Sequence, residues 1–349
     1  MVIQKKNNLT NKSLILLSIF LSILIFTIDS GSACTIFSAS YDETVLFANN
    51  EDYYNYTLWA RIIQPSENLQ HYGGFYLGHS VSPHSQGGMN EKGLCFDANA
   101  LPEMELTYNY SQKHYGGWVV EFIMKTCSNI SEVIKVAKEY SWGMSMAYQV
   151  FFADAAGDAV VISPGTDGKV NFTQKTEENG FLVSTNFNKG LARSPCWRYD
   201  TAYSMLNDGL NSETDLSIDF FRSILDAVHV EGAYVNTIYS NIFDLPNRII
   251  YLYYWHQFDD EVVKLNLTEE LAKSDQDQYI ELIDLFSQEV QDRAKAEYTS
   301  YLIEAGLMTP DLADRPTFAG LVEIGLIPVT LLVIIGYIIM IKKNVFSNL

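Results

Sequence analysis

The pattern of apolar and polar positions between residues 34 and 267 predicts strands, two helices, further strands, two more helices and final strands. Runs rich in β-branched and aromatic residues, bounded by turn residues, predict strands at 34–40, 45–48, 82–87, 94–98, 147–152, 159–163, 181–184, 234–243, 248–254 and 262–267. Helical spacing is found at 116–127, 130–140, 199–206 and 216–227, and a long amphipathic helical stretch follows at 268–306. This order favours an α+β domain in which two helical layers enclose antiparallel sheets.

Two long apolar runs flank this region. The first, at 14–26, follows Lys5 and Lys6 and resembles an export leader. The second, at 324–341, is uncharged and is followed at once by two lysines, which predicts a single-pass anchor with a cytoplasmic C-terminus. A buried core helix is the alternative for the second run. We expect a signal peptide at 1–33, a globular domain at 34–306, a linker at 307–317, a transmembrane helix at 318–341 and a cytoplasmic tail at 342–349.

The leader ends in a cleavage signal. Gly31 and Ala33 place small residues three and one positions before Cys34, so signal peptidase would leave Cys34 as the first residue of the mature chain. A terminal cysteine has both a nucleophilic thiol and a free α-amine that serves as a base. Three alternatives stay open at this point: an ordinary residue after a signal peptide, a lipidation site, or an uncleaved anchor.

Charge and residue spacing narrow the possible ligands. The formal net charge of the 349 residues is -19, so the chain repels nucleic acid and no nucleic-acid partner is expected. The six histidines show no metal-binding spacing, and we expect no metal and no cofactor. Besides Cys34, the chain has Cys95, Cys127 and Cys196, which allow one disulfide and a free thiol, or three thiols.

Several motifs follow Cys34-Thr35 along the chain. They are Asn50-Glu51-Asp52, Gly88-Met89-Asn90-Glu91-Lys92-Gly93-Leu94, Ser184-Thr185-Asn186 and Ser194-Pro195-Cys196-Trp197-Arg198-Tyr199. With them, the region from about 34 to 267 resembles the choloylglycine hydrolase and penicillin V acylase family of N-terminal nucleophile hydrolases. The hairpin strands at 237–240 and 251–253 are also similar to the acyltransferase-like branch of that superfamily. The resemblance implies a four-layer αββα sandwich and cleavage of a linear amide C–N bond.

The same resemblance implies roles for five residues. Cys34 would be the nucleophile, and Asp52 would hold its amine and thiol by hydrogen bonds. Asn186, with Asn99 as the second donor, would bind the oxyanion of the tetrahedral intermediate. Arg198 would lie near the thiol and favour the thiolate. Structural roles are the alternatives for three of them: a turn residue for Asp52, a loop asparagine for Asn99, and a surface or salt-bridge arginine for Arg198.

One position departs from the family pattern. Many bile-salt hydrolases carry arginine where this chain has Asn49, which argues against a bile-salt hydrolase. An acyl pocket would need apolar walls, and the candidates are Trp59, Tyr72, Phe75, Tyr76 and Trp118, although aromatic residues at this density usually belong to a core.

The sequence therefore favours an exported, membrane-anchored amide hydrolase whose Cys34 forms a thioester with an N-acyl substrate. A non-catalytic surface binding protein on the same fold is the first alternative, motivated by Asn49 and the anchor. An acyltransferase that uses the same nucleophile is the second. The expected partners are a small N-acyl amide and the membrane, and an oligomer is possible.

Overall fold

A computed structural model describes residues 34–308, except 54–56, 81, 193 and 213–215. The predicted leader, transmembrane helix and cytoplasmic tail lie outside these residues, and so does most of the predicted linker. Within the described part of the chain, no helix has the length and apolarity needed to cross a membrane.

Fourteen strands in the described residues form two antiparallel sheets. They are β1 (Thr35–Tyr41), β2 (Thr44–Tyr53), β3 (Leu58–Ile63), β4 (Gly74–His79), β5 (Gly87–Asn90), β6 (Cys95–Glu105), β7 (Ser145–Ala153), β8 (Ala159–Pro164), β9 (Val170–Gln174), β10 (Phe181–Ser184), β11 (Asn236–Asp244), β12 (Ile249–Tyr254), β13 (Val263–Asn266) and β14 (Gln278–Glu281). The order is β10-β1-β2-β11-β12-β13 in the six-stranded sheet and β14-β3-β4-β5-β6-β7-β8-β9 in the eight-stranded sheet.

The helices in the described residues pack on the outer faces of the two sheets or against the core between them. They are α1 (Val119–Thr126), α2 (Ile130–Glu139), α3 (Trp197–Asn211), α4 (Ile218–Ala227), α5 (Leu267–Ala272) and α6 (Gln288–Glu304), with a short 3-10 helix at Leu282–Leu285. One apolar cluster joins α1 and α2 to the eight-stranded sheet, and another joins α3 and α4 to the six-stranded sheet. A third cluster fills the space between the sheets. The predicted α+β sandwich of four layers, helix–sheet–sheet–helix, is therefore the observed architecture.

The hairpin that carries Cys34 forms as predicted. Strand β1 pairs with β2 through a tight turn in which Asp42 adopts a left-handed conformation with φ of 50°. The pairing sets Thr35 opposite Asn50. Since successive residues of a strand face opposite sides of the sheet, this register decides which polar side chains of β2 share a face with the Cys34 thiol.

The Met-Asn-Glu-Lys-Gly-Leu motif has a structural explanation. The Asn90 amide donates to the carbonyls of Met124 and Cys127, and its oxygen accepts from two backbone N–H groups of the turn. Gly93 has a φ of 80°, and a Cβ there would lie 2.5 Å from the Leu245 carbonyl oxygen. The motif therefore locks a turn of one sheet against the α1–α2 connection and a loop of the other sheet.

The region after 267 corrects one prediction. Instead of one long helix over 268–306, the chain forms α5, then β14, then the 3-10 helix and α6. Strand β14 pairs with β3 at the edge of the eight-stranded sheet, so backbone pairing there outweighs the helical spacing of the sequence. Strands β3, β4 and β9 also form without having been predicted, and the predicted strand at 82–87 is mostly loop.

Candidate active site

Cys34 lies immediately before β1 and lines a cavity of about 340 Å³ between the two sheets. Its neighbours from the same sheet include Glu51 and Tyr53, and the opposite sheet contributes His79 and Asn99. The cavity therefore exists only where the two sheets meet.

The surroundings of Cys34 disfavour the thiolate. Burial raises the pKa of Cys34 well above its ordinary value, and the nearby charges of Glu51, Asp52 and Asp97 raise it further. A backbone hydrogen bond from Asp52 opposes these effects in part. The sulfur donates to Oε2 of Glu51 at 3.3 Å. Nucleophilic attack by this thiol therefore requires a base that takes its proton.

The carbonyl oxygen of Cys34 is held by two donors. Asn99 donates through Nδ2 and Arg198 through Nη1, each at 3.1 Å. The Asn99 amide is itself oriented, since its oxygen accepts from Ser184 Oγ at 2.6 Å and from Gln149 at 3.5 Å. An amide nitrogen carries two hydrogens, and Asn99 lines the cavity, so its second N–H is the candidate donor to a substrate oxygen.

Arg198 and Asp52 form a buried pair on the other face of the six-stranded sheet. Their closest charged atoms are 3.6 Å apart, and Arg198 also donates to Thr35 Oγ1 at 3.0 Å. Thr237 donates to the Asp52 carboxylate. Burial raises the pKa of Asp52 to about 7, although Arg198 and Thr237 both work against that shift.

The five predicted site residues thus lie in one connected group, with different contacts. Asn186 reaches the group through Arg198, whose Nη2 donates to its oxygen at 3.3 Å, while its own amide donates to the Ala100 carbonyl at 3.2 Å. Asn99 faces the cavity beside Cys34, whereas Asn186 is not among the cavity-lining residues. Arg198 contacts the carbonyl oxygen of Cys34, and Asn99 and Asn186 remain predictions as oxyanion donors.

Sequence reasoning missed Glu51 and His79. The Glu51 carboxylate lies between the thiol and the imidazole, with Oε1 at 3.2 Å from His79 Nε2. The available signal was the strand period of two, which puts adjacent residues on opposite faces. Glu51 therefore faces Cys34 while Asp52 faces Arg198. His79 ends β4, a strand that the sequence analysis did not predict.

The aromatic candidates divide between cavity and core. Trp118 lines the cavity and donates from Nε1 to the Tyr148 hydroxyl at 2.7 Å. Phe75 lies in the core between the sheets, and Trp59 and Tyr76 pack under α1 and α2. The observed aromatic walls are Tyr53, Trp118 and Tyr148, with small side chains, Ala98, Ala100 and Ala147, also in the lining.

All four cysteines lie among the described residues, and all are free thiols. The predicted alternative with one disulfide is therefore not the one observed. In the described part of the chain, no group of three His, Cys, Asp or Glu side chains is arranged to hold a metal ion.

A known protein family matches the greater part of the chain. The family model of acyl-coenzyme A:6-aminopenicillanic acid acyl-transferase matches residues 39–259, more than half of the chain. The chain belongs to this family. The match confirms the family-level prediction of an acylase- or acyltransferase-type enzyme. A search of the curated proteins found no match.

Solved structures of other proteins share this fold. Two variants of conjugated bile acid hydrolase from Clostridium perfringens each give a TM-score of 0.56, at 14% and 15% identity; they cover 71% and 73% of this chain, and 96% and 98% of the hydrolase chain. Penicillin V acylase from Agrobacterium tumefaciens gives 0.54 at 13% identity, covering 71% of this chain and 91% of the acylase. At these identities the likeness shows the fold, and it confirms the N-terminal nucleophile hydrolase type of sandwich.

Proposed function

We propose that the mature protein is an exported, membrane-anchored cysteine hydrolase that cleaves a linear amide bond of a small N-acyl substrate. The observation that carries the proposal is the position of Cys34, whose thiol faces a cavity shared by both sheets beside the oriented amide of Asn99. Family membership supports acyl transfer, and the similar solved structures are hydrolases of conjugated bile acids and an acylase of penicillin V.

The reaction follows from the groups in the cavity. The thiol loses its proton to a base, which in a chain processed after Ala33 is the free α-amine of Cys34. The sulfur attacks the acyl carbon, and Asn99 binds the oxyanion. The C–N bond then breaks as the amine leaves with the proton taken from the thiol. Water cleaves the resulting thioester and releases the acid.

Intact mass spectrometry of Cys34 variants tests this assignment. Purified protein mixed with a panel of N-acyl amides is expected to gain one acyl group on Cys34, and Cys34→Ala is expected to lose both the adduct and turnover. Cys196→Ala is the matched control, since this half-buried thiol contacts Thr185 outside the cavity. Undiminished hydrolysis by Cys34→Ala would refute the proposal.

Transfer to an amine is the second candidate reaction, favoured by the name of the matched family. Both reactions share the thioester, and the acceptor decides between them. Adding an amine acceptor during turnover separates them: a transferase yields a new amide in proportion to the acceptor, while a hydrolase keeps releasing the free acid. The non-catalytic alternative predicts neither product.

A further inference from the structure

A single buried carboxylate joins the nucleophile to a histidine. Glu51 accepts from the Cys34 thiol through Oε2 at 3.3 Å, and its Oε1 lies 3.2 Å from Nε2 of His79. Cys34 and Glu51 are each 2% exposed and His79 is 5% exposed, and all three line the same cavity. Each oxygen of the carboxylate thus has one partner, and one of these partners is the atom that would attack substrate.

The imidazole is fixed in one orientation. A carboxylate only accepts hydrogen bonds, so Nε2 of His79 carries the hydrogen that it donates to Glu51. The ring stacks on Tyr53, with centroids 4.4 Å apart and planes inclined by 13°. Within the described residues, Nδ1 of His79 has no hydrogen-bond partner, although the atom is buried. The ring therefore holds Glu51 on one side and offers an unpaired nitrogen on the other.

Purely structural roles do not explain this arrangement well. His79 pairs with one oxygen of the buried Glu51 carboxylate, but the other oxygen has only a thiol, which is a weak donor and compensates little for burial. Unrelated enzymes activate a nucleophile in the same way: a base lies within hydrogen-bond reach of it, and a third group orients the base. Here the carboxylate occupies the middle position of that series.

We propose that Glu51 is a second base for the Cys34 thiol, besides the α-amine, and that His79 is the residue that positions it. This inference rests on the proposed function, because it adds a proton carrier to the same reaction.

The proton balance is complete without a further reactant. The thiol proton moves to Glu51 as the C–S bond forms, and the negative charge moves from the carboxylate to the oxyanion beside Asn99. Protonated Glu51 then gives the proton to the nitrogen as the C–N bond breaks, so the amine leaves neutral. In the second half, Glu51 takes a proton from water, and the sulfur regains it when the thioester opens. The transfer needs no free α-amine.

The test compares an amide with a nitrophenyl ester of the same acyl group, because only the amide needs a proton on its leaving group. Glu51→Gln is expected to lower kcat/KM for the amide by about 10²-fold or more. The ester is expected to fall by less than about 10-fold, because the α-amine still takes the thiol proton in the variant and nitrophenolate leaves without a proton. Alkylation of Cys34 by iodoacetamide is expected not to slow, because removing the Glu51 charge favours the thiolate.

Two outcomes would overturn the role of Glu51: an unchanged amide kcat/KM in Glu51→Gln, or an equal loss of amide, ester and alkylation, which marks a structural role. If the wild-type protein itself forms no acyl adduct on Cys34, the proposed function fails instead.

His79 variants test the positioning role separately. Glutamine retains an N–H donor for Glu51, so His79→Gln is expected to keep most of the amide activity. His79→Phe is expected to lower kcat for the amide by about 10-fold while the ester is less affected. Equal activity of both variants on the amide would contradict the role, and thermal melts of both variants show whether they fold.

Discussion

At the residue scale, the candidate site is a set of buried polar groups whose contacts are nearly all with each other. The Cys34 carbonyl oxygen accepts from Asn99 and Arg198, so two elements far apart in sequence fix the residue that carries the thiol. Buried polar groups must be paired to be tolerated, and this pairing makes their geometry rigid. Rigid donors serve catalysis because they need no reorganisation when charge develops.

Removing the Asn99 amide is expected to damage catalysis more than binding. Asn99→Ala is expected to lower kcat by about 10²–10³ with a smaller change in KM, because the oxyanion exists only after attack. Steady-state kinetics on the amide substrate measure both constants. Asn188→Ala is a suitable control, since that amide donates to the Pro164 carbonyl outside the cavity. Wild-type kcat in Asn99→Ala would remove this residue from the oxyanion site.

Asp52 is expected to make stability depend on pH. Its pKa rises from an ordinary 3.8 to about 7 in the folded chain, so the folded state keeps a proton that the unfolded chain has lost. Its contribution to stability is therefore largest below about pH 4 and is lost as the pH rises to about 7, by an amount on the order of a few kcal/mol. Asp52→Asn is expected to flatten this part of a plot of Tm against pH. Parallel plots for the two proteins would contradict the assignment.

The charged form of Asp52 is the one that pairs with Arg198. We therefore expect kcat/KM of the wild-type protein to rise as the pH increases through about 7. The Asp52→Asn variant is expected to lack this rise.

At the element scale, α6 is attached to the body of the protein by a network of titratable groups. His229 and His256 stack with centroids 5.0 Å apart, and each binds a carboxylate: Glu231 at 2.7 Å and Glu297 of α6 at 3.0 Å. The Tyr301 hydroxyl of α6 contacts both carboxylates. This network joins α6 to the end of β12 and to the chain before β11.

The attachment of α6 to the rest of the protein is expected to weaken at high pH. Burial alone would lower the pKa of His229, but its bonds to Glu231 and to the Asp226 carbonyl raise the pKa above 6.5. The stabilisation is therefore complete below about pH 6.5 and is lost as the pH rises through the raised value. Hydrogen exchange of α6, corrected for the intrinsic pH effect, is expected to be several-fold less protected at about pH 9 than at about pH 6.

Two variants check the source of that change. Glu231→Gln is expected to remove most of the pH dependence, because it removes the carboxylate that holds the histidine proton. Glu289→Gln on the same helix is the control, since Glu289 pairs with Arg293, which stays charged throughout. Identical pH dependence in Glu231→Gln and in the wild-type protein would show that another group is responsible.

At the scale of the whole molecule, the cavity is a product of the sandwich. One sheet brings the Cys34 thiol and the Glu51 carboxylate, and the other brings Asn99 and His79. The aromatic walls come from β2, β7 and the residue before α1, so the substrate space depends on how the layers pack.

The predicted leader and the predicted anchor lead to an expectation about the entire chain. Expressed with residues 1–349, the protein is expected to start at Cys34 and to remain with the membrane after alkaline washing. A chain ending at residue 317 is expected to appear outside the cell with the same kcat/KM, because the cavity lies wholly within 34–308. Intact mass, terminal sequencing and fractionation measure these results. A retained leader, or membrane attachment that persists without residues 318–349, would contradict them.

The sequence alone determined those features that depend on local chemistry. Spacing, turn residues and motifs were enough to predict the β1–β2 hairpin, helices α1 to α4, and the place of Cys34 at the start of that hairpin. The layer order followed, because the sequence of elements admits few ways to bury both sheets.

Tertiary structure decided the features that depend on contacts between residues distant in sequence, namely the short strands and the contacts of Glu51. Strands β3, β4 and β9 were not predicted, and β14 was predicted as part of a helix, because pairing with a neighbouring strand stabilises a short segment more than its own spacing indicates. The contact of Glu51 with both Cys34 and His79 needs the register of β1 on β2 and the packing of one sheet on the other. No local pattern encodes that packing, so the acidic partner of the nucleophile became visible only in the folded chain.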